Sequence, residues 1–267
     1  MRWRPPGGAL GELVERARSA SMERKARSAE SHSGSTSARK PGRFLAALVD
    51  PSRAGFPLIC EVKRASPSAG AIAAGADAAR QAQGYVAAGA RCVSVLTEES
   101  RFGGSLEDLR RVRAALNAPI LRKDFVADAW MVEEAADAGA DAVLLIAAAV
   151  EPALLVELAD RAESLGLDVL LELIYERDLE VLALRPWKLV GINARDLETL
   201  EVDADRFGRL APHAAAPGRL LVAESAIRGP EDIRRYRGQG AGAALVGEAL
   251  MRARDPGALI AALAGVA

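Results

Sequence analysis

Two lysines, three glutamates and an asparagine stand near the ends of apolar runs in this chain of 267 residues. Pro57-Leu58-Ile59-Cys60-Glu61-Val62-Lys63-Arg64 begins as a buried strand and places Glu61 and Lys63 two apart, on one face. Pro119-Ile120-Leu121-Arg122-Lys123-Asp124-Phe125 carries Lys123, and Val169-Leu170-Leu171-Glu172-Leu173-Ile174 carries Glu172. Leu189-Val190-Gly191-Ile192-Asn193 ends in Asn193, and Leu220-Leu221-Val222-Ala223-Glu224-Ser225 brings Glu224. Charge on a buried strand costs free energy unless it is paired or used. Strand alternation puts Ile59, Glu61 and Lys63 on one face, with Cys60 and Val62 on the other. Leu121, Lys123 and Phe125 share a face, as do Leu170 and Glu172. Converging ammonium and carboxylate groups can move protons, neutralise an anionic substrate and orient hydroxyls. The bland alternative is an ion-pair network that only fills the interior, a poor way to gain stability.

Two further segments bear on anion binding. Ser225-Ala226-Ile227-Arg228-Gly229-Pro230-Glu231 follows one strand and Val246-Gly247-Glu248-Ala249-Leu250 extends another. In phosphate-binding barrels the loops after the seventh and eighth strands offer backbone N–H groups to the dianion, and Lys63 could reach it as a point charge. Arg64-Ala65-Ser66-Pro67-Ser68-Ala69-Gly70 leaves the first strand as a Ser/Pro/Gly loop suited to a mobile lid or to ordinary turns.

The elements that must position these groups repeat one theme. Gly89, Gly139, Gly166, Gly240 and Gly242 each lie just before an apolar run, as expected where a helix ends and a strand begins. Eight strands are predicted, at 57–63, 91–97, 119–124, 142–148, 169–174, 189–193, 220–224 and 243–246, with helix-like stretches between them such as 106–116, 129–138 and 153–165. Near-continuous apolar strands alternating with helices mean a parallel sheet covered by helices. Eight units with charged ends on well-separated strands predict closure into a (β/α)8 TIM barrel rather than an open doubly wound sheet. The barrel is expected over 57–267. Residues 1–56 are expected to form an N-terminal extension: a disordered start at 1–8, a helix over 9–30, a Ser/Gly-rich linker at 31–42 and a short helix at 44–49. The whole makes one structural domain.

Composition excludes several function classes. Half the residues are hydrophobic, net charge is −1 and the pI is about 6.2, so nothing global points to nucleic acid or a membrane. The basic N-terminal arm (Arg2, Arg4, Arg16, Arg18, Arg24, Lys25, Arg27) is interspersed with Glu12, Glu15 and Glu23 and reads as a solvated helix face. No signal-peptide core or spanning run is visible. Cys60 and Cys92 fall inside strands and are expected to be buried free thiols of a cytoplasmic protein. His32 and His213, in polar surroundings, argue against a histidine metal site or base. Monomer is the default state.

In order along the chain, Glu61-Val62-Lys63-Arg64-Ala65-Ser66-Pro67-Ser68, then Ser94-Val95-Leu96-Thr97-Glu98 with Phe102-Gly103-Gly104-Ser105, then Leu121–Phe125, Ile192-Asn193-Ala194-Arg195-Asp196-Leu197 and Ala223-Glu224-Ser225 resemble the indole-3-glycerol phosphate synthase family from about residue 44 to the C-terminus. The resemblance implies a TIM barrel. It implies closure of 1-(2-carboxyphenylamino)-1-deoxyribulose 5-phosphate to indole-3-glycerol phosphate, with loss of CO2 and water, in tryptophan biosynthesis. No metal or organic cofactor is implied, and the partner is a phosphorylated small molecule. By the same resemblance Lys123 is the general acid at the ketone oxygen, its pKa expected to be lowered by neighbouring cations. Glu172 is the second acid/base group and Lys63 neutralises carboxylate or phosphate. Glu61 and Asn193 orient these groups, and Glu224 helps hold the lysines. Ser225, Ala226, Gly247 and Glu248 hold phosphate, Phe102, Phe125 and Leu144 flank the aromatic ring, and Ser66 and Arg195 also touch substrate. The division of labour among Lys63, Lys123 and Glu172 stays open at this stage.

Four residues, at three places, depart from the family pattern. Ala226 stands where the family usually has Gly, Ile174-Tyr175 replace polar residues after Glu172, and Ala194 replaces a commonly polar residue. If position 226 needs a positive φ, Ala costs about 1 kcal/mol there. Two other readings of the same residues are a Schiff-base aldolase using Lys123 or Lys63 and a phosphosugar-binding barrel without catalysis.

Overall fold

The computed structural model describes residues 5–28, 41–63, 65–66, 70–71 and 77–266. Among them, eight parallel strands close into a barrel: β1 (Leu58–Val62), β2 (Cys92–Leu96), β3 (Ile120–Lys123), β4 (Ala142–Ile146), β5 (Asp168–Leu173), β6 (Leu189–Asn193), β7 (Leu220–Glu224) and β8 (Ala243–Val246). Each pairs with its sequence neighbours, and β8 closes on β1 with Leu58 opposite Ala244 and Cys60 opposite Val246. The predicted closure is therefore found, and every predicted strand is present to within two residues of its predicted bounds.

The helices begin and end where the sequence chemistry says they should. Asp77, Ser105, Asp128 and Asp255 cap α3 (Ala78–Ala87), α4 (Leu106–Ala115), α5 (Ala129–Ala138) and α10 (Pro256–Ala264) by accepting backbone N–H groups of the first turn. The remaining α-helices are α1 (Gly8–Ser28), α2 (Arg43–Val49), α6 (Pro152–Ser164), α7 (Arg206–Ala214), α8 (Pro230–Gly238) and α9 (Glu248–Arg252). Gly139, at φ 95, ends α5 and lets the chain turn at once into β4.

Strand alternation sorts the core into two layers. Outward-facing side chains pack under the helices: the Cys92 thiol lies 3.7 Å from the carbonyl of Phe44 on α2. Cys60 and Cys92 are free and buried, as expected, and burial pushes the Cys60 thiol up to about 12. The N-terminal extension is packed onto the barrel. Leu10, Leu13, Val14 and Ala17 of α1 are buried, and the Asp168 carboxylate accepts the N–H groups of Phe44 and Leu45 at 2.8 and 3.0 Å, holding α2. The expected linker at 31–42 and His32 lie largely or wholly outside the described residues.

Arg91, just before β2, secures the entry to the barrel. Its buried guanidinium donates to the carbonyls of Leu48, Asp50, Arg53 and Gly55, the segment joining α2 to β1. Replacing it strands four acceptors, and hydrogen bonds from charged donors are worth roughly 1.5–3 kcal/mol each while their loss is shared with water. Arg91→Leu is expected to lower unfolding free energy by about 3 kcal/mol in urea titration; a loss under about 1 kcal/mol would show that this segment is held by other contacts.

Candidate active site

The C-terminal ends of the strands surround a cavity of about 760 Å³, in the size range of small-molecule sites. Its wall includes Glu61, Lys63, Phe102, Lys123, Phe125, Leu144, Asn193, Arg195, Glu224, Ser225, Ala226, Gly247 and Glu248. These are the predicted site residues apart from Glu172 and Ser66. Glu172 is fully buried one step below the wall and reaches the cavity through its partners. The Ser66 backbone pairs with Gly70 in a two-stranded antiparallel ribbon just after β1. Its side chain, and residues 64 and 67–69 of the predicted lid, lie outside what is described.

Lys123, at the end of β3, is 15% exposed, with its Nζ 3.3 Å from Glu172 Oε2 and 3.8 Å from Glu224 Oε2. Asn193 donates from Nδ2 to Glu172 Oε1 at 3.1 Å, and its Oδ1 accepts the Ser225 hydroxyl at 2.8 Å and the Arg195 N–H at 3.0 Å. Lys63 lies 3.6 Å from Glu61 Oε1, and its ammonium stands 5.3 Å from the Phe102 ring centre. Phe102 and Phe125 have ring centres 6.1 Å apart, forming an apolar shelf.

The electrostatics correct one expectation. Lys123 is flanked by carboxylates rather than by cations. Burial favours the neutral amine, but Glu172, Glu224 and Glu61 together outweigh it and hold the pKa above the ordinary lysine value. Its ammonium is therefore charged at neutral pH. Glu224 behaves oppositely. Burial first, and then the Glu172 carboxylate, push its pKa well above the usual carboxyl range. Neither Glu224 oxygen has a hydrogen-bond partner among the described residues.

Glycines make room for this cluster. A Cβ on Gly191 of β6 would collide with the Glu224 carboxylate, and one on Gly247 with the Glu61 carboxylate. After β7, Ser225 and Ala226 both take left-handed backbone, at φ 64 and φ 55, so position 226 does need the conformation that favours glycine. On the far side of the cavity Arg195 Nη2 meets Glu248 Oε2 at 3.1 Å, and Arg252 Nε meets Glu248 Oε1 at 3.1 Å. The support for Glu172 comes from Asn193 and Lys123. The Ile174-Tyr175 departure is held by its own backbone, with both N–H groups donating to Asp178 at 2.8 and 2.9 Å.

Sequence reasoning missed part of the wall. Leu13 of α1, Leu197, Leu200 and Val202 after β6, and Arg228 and Arg252 also line the cavity. The helical spacing of Leu10, Leu13, Val14 and Ala17 showed a buried face, but not that one of its residues would roof a site.

A closed parallel barrel with ammonium and carboxylate groups gathered at its C-terminal mouth is a (β/α)8-barrel enzyme built for a small substrate. The chain belongs to the indole-3-glycerol phosphate synthase family, whose model matches residues 10–263. It is 48% identical over 235 residues to indole-3-glycerol phosphate synthase of Mycobacterium leprae strain Br4923, covering 88% of this chain and 85% of that protein. It is 46% identical over 261 residues to the protein of that name from Mycobacterium avium strain 104, covering 97% and 94%. Among solved structures it superposes on 3-hexulose-6-phosphate synthase from Salmonella typhimurium with a TM-score of 0.64 at 14% identity, over 79% of this chain and 98% of that one, a likeness of fold alone.

Two measurements check this geometry. Ala226→Gly is expected to raise unfolding free energy by about 1 kcal/mol, by releasing a side chain from left-handed backbone; an unchanged urea midpoint would show that the turn carries no strain. Glu224→Gln tests the buried carboxyl. A carboxyl whose folded pKa is raised subtracts stability progressively as pH climbs above its unfolded value of about 4.3. The stability of Glu224→Gln relative to the parent should therefore rise between pH 4 and pH 8. A difference that is flat with pH would mean that the folded carboxyl titrates normally.

Proposed function

We propose that this protein is an indole-3-glycerol phosphate synthase, closing 1-(2-carboxyphenylamino)-1-deoxyribulose 5-phosphate to indole-3-glycerol phosphate, with release of CO2 and water, in tryptophan biosynthesis. The observation that carries the reading is the Lys123 ammonium in the cavity wall, 3.3 Å from Glu172 and 3.8 Å from Glu224. Ring closure turns a ketone oxygen into a hydroxyl, and the group that assists must present a proton as negative charge develops. A lysine held charged by carboxylates is such a donor. The bond forms between the ketone carbon and the ring carbon that bears the carboxylate; CO2 then leaves, and the electron pair of the broken C–CO2 bond stays behind and restores the aromatic ring. Loss of the new hydroxyl as water then needs a second acid and a base. Glu172, linked to Lys123 and Asn193, supplies proton exchange, and Lys63 stands ready beside Glu61.

The remaining wall residues fit the rest of the substrate. Phe102, Phe125 and Leu144 give the aromatic ring an apolar seat. Backbone amides at Ser225-Ala226 and Gly247-Glu248, with Lys63, hold the phosphate. Arg195 takes the ring carboxylate, and Asn193 and Glu61 orient hydroxyls. Ser66, from the segment after β1, is a further substrate contact. Leu13 in the wall supports treating residues 1–56 as part of the same working unit as the barrel at 57–267. The reading also takes the enzyme to be cytoplasmic and monomeric. Two buried free thiols fit a reducing compartment, and the exposed large hydrophobic residues Met22, Val49, Leu184 and Val202 are scattered along the chain.

The aldolase reading meets a physical obstacle. A Schiff base needs a neutral amine, and three carboxylates hold Lys123 protonated. The test is a fluorescence assay for the indole product from the anthranilate-derived ribulose phosphate. The unaltered chain is expected to turn over, and Lys123→Ala to lose about a thousandfold or more in kcat with its melting temperature within a few degrees. Absence of product from the unaltered chain would refute the function, undiminished product from Lys123→Ala would refute the role of the lysine, and covalent trapping of substrate by borohydride would revive the aldolase.

A further inference from the structure

The strand that carries Lys123 is gripped from its outer side. Arg122 is fully buried and points away from the lumen, toward α5. Its Nη1 donates to the Met131 carbonyl at 2.6 Å, its Nε to Thr97 Oγ1 at 3.1 Å and its Nη2 to Asp124 Oδ2 at 3.0 Å. Glu134 Oε2 lies 3.5 Å from Nη1, and the same carboxylate accepts Arg24 of α1 at 2.6 and 3.0 Å. The Thr97 hydroxyl donates to Asp124 Oδ2, while its backbone N–H donates to the Lys123 carbonyl at 3.1 Å. Asp124 Oδ1 accepts the N–H of Phe125 at 2.9 Å. One threonine thus touches three consecutive residues: the side chains of Arg122 and Asp124 and the carbonyl of Lys123. Neither Thr97 nor Arg122 lines the cavity.

We propose that Thr97 and Arg122 are positioning residues for Lys123, fixing the strand on both sides of it so that its ammonium stays among Glu172, Glu224 and Glu61. A lysine reaches its partners through a flexible four-carbon stem, so its Cα is the one point the fold can fix. Catalytic groups must be held to within about half an ångström by the residues that support them. Packing alone does not call for a guanidinium here, because a buried ion pair stabilises no better than apolar residues of the same shape. Its place, back to back with Lys123 on adjacent residues of β3, gives that desolvation a use. The same fork reaches Glu134 and through it Arg24, so α1 is anchored to the strand that bears the lysine.

The inference takes Lys123 as the proton donor of the proposed reaction, but its main test needs no turnover. Full-length protein, Thr97→Val and Arg122→Lys are acylated with an N-hydroxysuccinimide acetate ester between pH 7 and 11, and acylation at Lys123 is followed by peptide mass spectrometry. Only the neutral amine reacts. The groups facing Lys123 are Glu172, Glu224 and Glu61, with Lys63 paired to Glu61. A lysine released from the carboxylates holds more neutral amine at a given pH, so acylation of Lys123 at pH 9 is expected to be about tenfold faster in both variants, while the exposed Lys188 keeps its rate. In the turnover assay kcat is expected to fall about tenfold, with KM within about twofold. A Lys123 acylation rate that is unchanged in both variants overturns the proposal, whatever happens to melting temperature or kcat. Thr97→Val removes one hydroxyl at nearly constant shape and decides the matter if Arg122→Lys does not fold. Lack of turnover by the unaltered chain would overturn the functional reading and leave the acylation comparison to judge this one.

Discussion

Lys123 keeps its charge in a place that is nearly dry, with carboxylates at 3.3 and 3.8 Å and only 15% of its side chain exposed. The rest of the site follows from that balance. Left alone, a buried ammonium would lose its proton, so the lumen must supply negative charge. Supplying it brings the Glu172 carboxylate close enough to Glu224 to disfavour the ionisation of Glu224. The outcome is a division of states: a charged lysine, a carboxylate fixed by Asn193, and a second carboxyl pushed toward its neutral form. Pairs of groups whose surroundings drive their protonation apart are the mark of acid–base chemistry.

The barrel makes such crowding possible. Parallel strands present alternate residues to one lumen, so groups distant in sequence meet without any loop having to order them. Glycine at 191 and 247 leaves the volume that two carboxylates occupy, and the left-handed turn at Ser225-Ala226 brings backbone to the cavity wall at the cost of strain in a residue with a Cβ. Stability is given up at several of these points, as expected where structure serves chemistry.

Much of this was legible in the sequence. Glycine before four of the eight apolar runs and polar or charged residues at the ends of five strands led to the closed barrel, because the strand period of two leaves little choice about which side chains face inward. Glu61, Lys63, Lys123, Asn193, Glu224 and the turn at Ala226 were all located in this way or by resemblance. What could not be read was the field around each group. Lys123 was expected to sit among cations, yet distances between lumen side chains depend on barrel stagger, which no local pattern encodes. Leu13 and Arg252 escaped notice for a related reason: a helical stripe reveals that a face is buried, not what it covers.

The most direct measurement is a crystal structure with a non-cyclising substrate analogue in which the ketone is reduced to an alcohol. That hydroxyl is expected within about 3 Å of Lys123 Nζ, the aromatic ring against Phe102 and Phe125, and the phosphate on the turns at Ser225-Ala226 and Gly247-Glu248. An analogue bound with its hydroxyl turned away from Lys123, or with its phosphate outside those two turns, would contradict it.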